Sequence, residues 1–185
     1  MSTAGRPARD LEPEAAAREI CLRQLTARPR SRTELTGTLR RRGVTDDVAE
    51  AVLDRLAAVG LIDDDAFAAA FVASARENRG LSRRGLAVEL RRRGVDDDVA
   101  TAALTGMDGE AEEAAARELA VRRQRGMAGL ERQVRVRRLV AMLGRKGYPT
   151  DLAVRVVTEV VGAADAEVAD EIAFTDDDGG EAADL

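Results

Sequence analysis

The chain has 185 residues, 34 of them acidic and 29 basic, and a formal net charge of −5. Hydrophobic residues make up 45% but aromatics only 2%, so the apolar mass is Ala, Leu and Val; this suits amphipathic helices, not strands, and predicts an all-α protein. One cysteine and no histidine exclude a disulfide framework, the usual zinc sites and histidine general-base catalysis, and no apolar run approaches the ~18 residues of a membrane span.

In chain order, residues 1–13 hold Gly5, Pro7 and Pro13 with little apolar periodicity and read as a disordered leader. A first three-helix unit, 14–62, follows, with helices expected over 14–27, 31–42 and 46–59. Pro29 breaks the first helix, and Ser31 with Glu34 reads as a capping box for the second. Cys21 lies in one stripe with Ala17, Ile20 and Leu25 and reads as core. Asp46 and Asp47 place negative charge at the positive end of the third helix, whose Val48, Val52, Leu56 and Val59 form one apolar face.

The second unit, 63–107, repeats the plan with helices over 64–78, 82–93 and 97–105, Ser82 standing where Ser31 stood. Phe67 and Phe71, at i and i+4, read as core anchors. The third unit, 108–161, has helices over 110–125, 130–145 and 150–161. In its middle helix Val136, Leu139, Val140 and Leu143 share one face and Arg132, Arg135, Arg138 and Arg145 a mostly opposite one. Beyond it, residues 162–185 carry nine acids and no base, leaving 25 acids against 29 bases in residues 1–161. The folded part is mildly basic, and the tail is expected to be disordered after a short helical extension through Ile172.

One element recurs three times: a helix ending in a basic cluster and a glycine, then a turn and an acidic helix start. Its glycines are Gly43, Gly94 and Gly147, spaced by 51 and 53 residues. A period of that length marks a repeat architecture. The third copy is the least faithful, with Gly144 in place of an arginine and Tyr148-Pro149 in the turn.

Little in the chain suggests bond-making chemistry. There is no phosphate-cradling glycine loop followed by Lys-Ser or Lys-Thr and no Gly-x-Ser-x-Gly elbow. Asp63-Asp64-Asp65 and Asp96-Asp97-Asp98 sit at helix starts, where capping and dipole compensation account for them; neither a metal nor a cofactor is expected. The basic clusters Arg40-Arg41-Arg42, Arg91-Arg92-Arg93 and Arg145-Lys146 occupy equivalent last turns. Singly each reads as a favourable helix C-terminus, but three in register, with Arg83, Arg84, Arg132, Arg135 and Arg138, favour an extended anionic partner. Without interleaved aromatics the contact would be to backbone phosphates.

Several stretches resemble the RecX family of bacterial proteins that modulate RecA: Leu25-Thr-Ala-Arg-Pro-Arg-Ser-Arg-Thr-Glu-Leu35 with Leu39 and Gly43; Gly60-Leu-Ile-Asp-Asp-Asp-Ala-Phe-Ala68 with Phe71-Val72, Arg76 and Gly80; and Glu89-Leu-Arg-Arg-Arg-Gly-Val95. The likeness covers about residues 15–161. Gly85, inside a helix that relatives fill with better helix formers, departs from it, as does the acidic tail. The resemblance implies three tandem three-helix repeats in an elongated, curved module. It further implies a non-enzymatic, cytoplasmic, monomeric regulator of recombination, DNA repair and the SOS response. Such a regulator binds the RecA filament on single-stranded DNA and inhibits its ATPase, recombinase and co-protease activities by limiting filament growth or promoting disassembly.

The rival expectation is a direct DNA-binding protein of helix-turn-helix type, whose recognition helix reads bases from its N-terminal part. Against it, the basic residues lie at helix C-termini and Asp46-Asp47 and Asp97-Asp98 would repel phosphates at the starts. For the tail, two readings stand open: a solvated solubility segment, or an acidic strap that competes with DNA for the basic face.

Overall fold

The computed structural model describes residues 13–127 and 129–177, with side chains as far as Ala166. The expected leader up to residue 12 and the tail residues 178–185 lie outside the described residues. Everything regular in the described chain is helical, in the order α1 (Pro13–Ala27), α2 (Arg32–Arg41), α3 (Asp46–Ala58), α4 (Asp64–Arg79), α5 (Arg83–Arg92), α6 (Asp97–Ala103), α7 (Gly109–Gln124), α8 (Arg132–Arg145) and α9 (Thr150–Asp177). A 3-10 turn, Arg125–Met127, follows α7.

The caps explain why the helices start and stop there. Ser31 Oγ accepts from the Glu34 N–H at 3.1 Å and Ser82 Oγ from the Gly85 N–H at 3.0 Å, as the sequence leads one to expect. Asp63, Asp96 and Asp108 accept from the Ala66, Asp98 and Ala111 N–H groups at 2.8, 2.9 and 2.7 Å, so these acids serve helix initiation. The second half of the Ser31–Glu34 capping box is absent: Glu34 turns to Arg93, at 2.8 Å, because a guanidinium is a stronger partner than a neutral amide. Gly43, Gly94 and Gly147 have φ of 79°, 71° and 94°, the left-handed turn that closes α2, α5 and α8.

Two compact units emerge: Met1–Ala75 with Leu86–Gly106, and Arg76–Gly85 with Met107–Leu185. In the first, Ala17 and Cys21 of α1, Leu35 and Leu39 of α2, and Ala49, Val52, Leu53 and Leu56 of α3 form a core with Ile62. Val59, expected on the apolar face of α3, is instead 69% exposed, since the helix ends at Ala58 and Val59 is its cap residue. In the second, Leu119 and Ala120 of α7, Leu139 and Leu143 of α8, and Val156, Val157 and Val161 of α9 enclose a core closed by Tyr148. Each fully buried Leu or Val contributes on the order of 1.5–3 kcal/mol.

The last helix runs past Ile172 to Asp177, beyond the expected extension. Ala163, Ala164, Ala166 and Ala169 are strong helix formers and no proline interrupts them. Asp165 also ties this stretch to α8 through ion pairs with Arg132 and Arg135.

Candidate nucleic-acid interface

In the first unit the basic cluster and glycine at the end of α5 seat against the start of α2. The Ser31 hydroxyl donates to the Arg93 carbonyl at 2.5 Å, and the Thr33 hydroxyl to the Gly94 carbonyl at 2.9 Å. Arg93 reaches back to Glu34 and lies 4.6 Å over the Phe71 ring, which stacks on Phe67 at 6.3 Å. The second unit repeats the joint with the end of α8 against the start of α5. The Ser82 N–H donates to the Lys146 carbonyl at 3.1 Å, and Lys146 Nζ donates to the Arg79 carbonyl.

Acids that open the next first helix complete both joints. Asp64 accepts the Arg32 N–H at 2.8 Å, and Glu112 the Arg83 N–H at 2.9 Å. So the repeated basic turn is a docking element as well as a charged one, and its last residue, Arg93 or Lys146, turns inward.

The remaining sequence-predicted residues sort by partner. Arg40 is exposed and paired with Asp46 at 2.7 Å, which raises its pKa, chiefly through that hydrogen bond. Arg41 donates to the Thr38 hydroxyl at 3.1 Å, and Arg42 is exposed as the cap residue of α2. Arg91 and Arg92 are exposed, each 3.5 Å from an acid, Asp97 and Glu89. Arg83 donates to the Met107 carbonyl at 3.4 Å, while Arg84 is exposed.

On α8, Arg132 is exposed and 3.9 Å from Asp165. Arg135, expected on the basic face, is buried and pairs with Asp165, because the lengthened α9 covers that side of α8. Arg138 and Arg145 remain exposed.

Those two belong to a concave surface of about 780 Å3 within the second unit, lined by Leu119, Arg122, Arg123 and Met127 on one side and by Arg137, Arg138, Ala141, Met142, Arg145 and Lys146 on the other. Six of its lining residues are cations and none is a carboxylate. Among the described residues, Arg122, Arg123, Arg137, Arg138 and Arg145 form no ion pair or side-chain hydrogen bond. Burial lowers the Lys146 pKa, and the positive charges of Arg79 and Arg122 lower it further.

Arg122, Arg123 and Arg137 were not singled out from the sequence. Arg122-Arg123 ends the first helix of its repeat, outside the recurring element, and Arg137 falls between the positions of the basic stripe. The available signal was that α8 contains no acid at all.

These features define a class first: an all-helical protein of three-helix repeats that presents arginine-rich surfaces. The chain matches the models of the RecX first, second and third three-helix domains over residues 17–56, 63–104 and 110–157. Among curated relatives, the regulatory protein RecX of Thermobifida fusca is 51% identical over 167 residues, 89% of this chain and 90% of that protein. That of Streptomyces lividans is 48% identical over 157 residues, 85% and 82% of the two chains. The crystal structure of RecX from Lactobacillus salivarius shares the fold, with a TM-score of 0.68 at 19% identity, covering 80% of this chain and 96% of that one. The chain belongs to the RecX family of regulatory proteins.

Proposed function

We propose that this protein is a non-enzymatic regulator that binds the RecA nucleoprotein filament on single-stranded DNA and inhibits its activities by limiting filament growth or promoting disassembly. Membership in the family supports a regulatory role, since its relatives are named as regulatory proteins. The observation that carries the reading is the sorting of the cations: arginines elsewhere are mostly matched by carboxylates, whereas those of the α7–α8 surface are left for an external anion. A filament repeats its contacts, so several modest attractions tethered on one chain act at high effective concentration.

The experiment is RecA ATPase on single-stranded DNA in the presence of the full chain. Inhibition at amounts well below those needed to coat the strand is expected. Inhibition that begins only near coating stoichiometry would instead favour a protein that covers DNA directly.

A further inference from the structure

Basic residues in a last helical turn have an ordinary explanation, because they offset the negative end of the helix dipole. That covers Arg122 and Arg123 at the end of α7 and Arg145 at the end of α8. It does not cover Arg137 and Arg138, which lie in the middle of α8. A mid-helix arginine gains a few tenths of a kcal/mol from an acid three or four residues away. Around this pair the positions three and four away are Gln133, Val134, Arg135, Val140, Ala141 and Met142, with no acid among them. Neither dipole compensation nor pairing along the helix therefore accounts for these two charges.

Geometry gives the two charges a use. Arg137, Ala141 and Arg145 recur at intervals of four, as do Arg138 and Met142, so all five share one side of α8, facing Arg122 and Arg123 across the concavity. Leu119, Met127, Ala141 and Met142 supply its apolar lining, and the guanidinium groups among them carry forked donors that match phosphate oxygens. No aromatic residue lines it, so bases are not gripped by ring stacking. A cationic trough of this kind, with no carboxylate in its lining, suits a flexible chain of regularly spaced anions that can follow its curvature.

We infer that this α7–α8 cleft is a binding site for the phosphodiester backbone of single-stranded DNA, with Arg137 and Arg138 as its discriminating contacts and Arg122, Arg123 and Arg145 around them. The inference rests on the proposed action at a DNA-borne filament for its biological setting. The chemistry of the site stands on the cleft itself.

The test uses the full chain and a fluorescein-labelled oligothymidylate, with binding read by anisotropy from low to high salt. Each phosphate contact to a single strand contributes about −0.7 to the slope of log K against log salt. The Arg137→Gln, Arg138→Gln double variant should flatten that slope by about 1.4 and lose roughly tenfold or more in affinity at low salt, converging with wild type at high salt. Arg117→Gln, which removes one charge from a paired arginine of the same unit, is the control; it should change the slope little. Equal losses in the control and the double variant, or an unchanged slope in the double variant, would overturn the site. Melting temperatures of both variants near that of wild type confirm that folding is intact, as expected for exposed side chains.

RecA ATPase separates the two readings. A double variant that keeps its oligonucleotide affinity but no longer inhibits means that the cleft meets protein, and the DNA site is rejected while the regulator stands. A wild-type chain that binds oligothymidylate through the cleft yet never inhibits means the reverse.

Discussion

Tyr148 and Gly85 show how single residues hold the second unit together. Tyr148 is 4% exposed and its hydroxyl faces the Gly80 carbonyl at 3.4 Å; burial, and next the charge of Glu112, push its pKa up to about 12. A phenol held above its ordinary value near 10 favours the neutral form in the fold. Its contribution is therefore complete below pH 10 and is lost as pH rises through about 12. We expect wild-type stability to fall across that window by on the order of 2 kcal/mol more than that of Tyr148→Phe, followed by chemical denaturation at each pH.

Gly85 looked from the sequence like a poor helix residue out of keeping with relatives. In the fold a Cβ there would come within 2.3 Å of the Lys146 carbonyl, so the missing side chain is what lets the end of α8 dock. Gly85→Ala should cost about 2 kcal/mol despite a helix-propensity gain of up to about 1 kcal/mol, measured as a lowered denaturation midpoint. Nothing local in the sequence could signal this, because the neighbour, Lys146, lies 61 residues further along the chain, a separation invisible to any periodicity argument.

Among the elements, helix number, order and most boundaries were legible because the punctuation is chemical: Ser31 and Ser82 at starts, Gly43, Gly94 and Gly147 at ends. The joints were not legible, since capping residues are read from their own helix and not from the partner that docks on them. Ser31 does both jobs, accepting from the Glu34 N–H and donating to the Arg93 carbonyl, whereas the Ser82 hydroxyl serves its cap. Ser31→Ala should thus cost about 2 kcal/mol and Ser82→Ala about 1 kcal/mol, a difference that denaturant titration of the two variants can resolve.

The candidate site divides along the same line. Dipole logic found the last-turn arginines, but it could not separate Arg93, bound to Glu34 and Phe71, from Arg91 and Arg92, which face solvent. Arg93→Ala should lower stability by about 2 kcal/mol, because it removes the contact with Phe71 and leaves Glu34 only its longer ion pairs to Arg28 and Arg30 at 3.7 and 3.9 Å, while Arg91→Ala and Arg92→Ala should change it by less than about 0.5 kcal/mol. A neutralising test of the α5 cluster for partner binding is therefore informative only with Arg93 left in place.

At the scale of the whole molecule, charge is distributed against the net value. The chain is net negative, yet the excess acid lies beyond Gly162, and its first acid, Asp165, is spent on Arg132 and Arg135. Cutting the chain at Gly162 would remove that pair and unsettle α8, so a clean test of the tail keeps Asp165. A chain ending at Ala166 retains it and loses eight acids, taking the formal charge from −5 to +3. Long-range repulsion of a polyanion then becomes attraction, and screening limits this effect to separations of about 10 Å at 0.1 M salt. The truncated chain should bind oligothymidylate more tightly than the full chain at low salt, with the gain fading as salt rises. Repeating the comparison with Arg137→Gln and Arg138→Gln in both chains separates the two open readings of the tail. A solvated tail acts through the general field, and its removal should help the variant about as much as the wild type. A tail that occupies the α7–α8 cleft should lose its effect once those two arginines are gone.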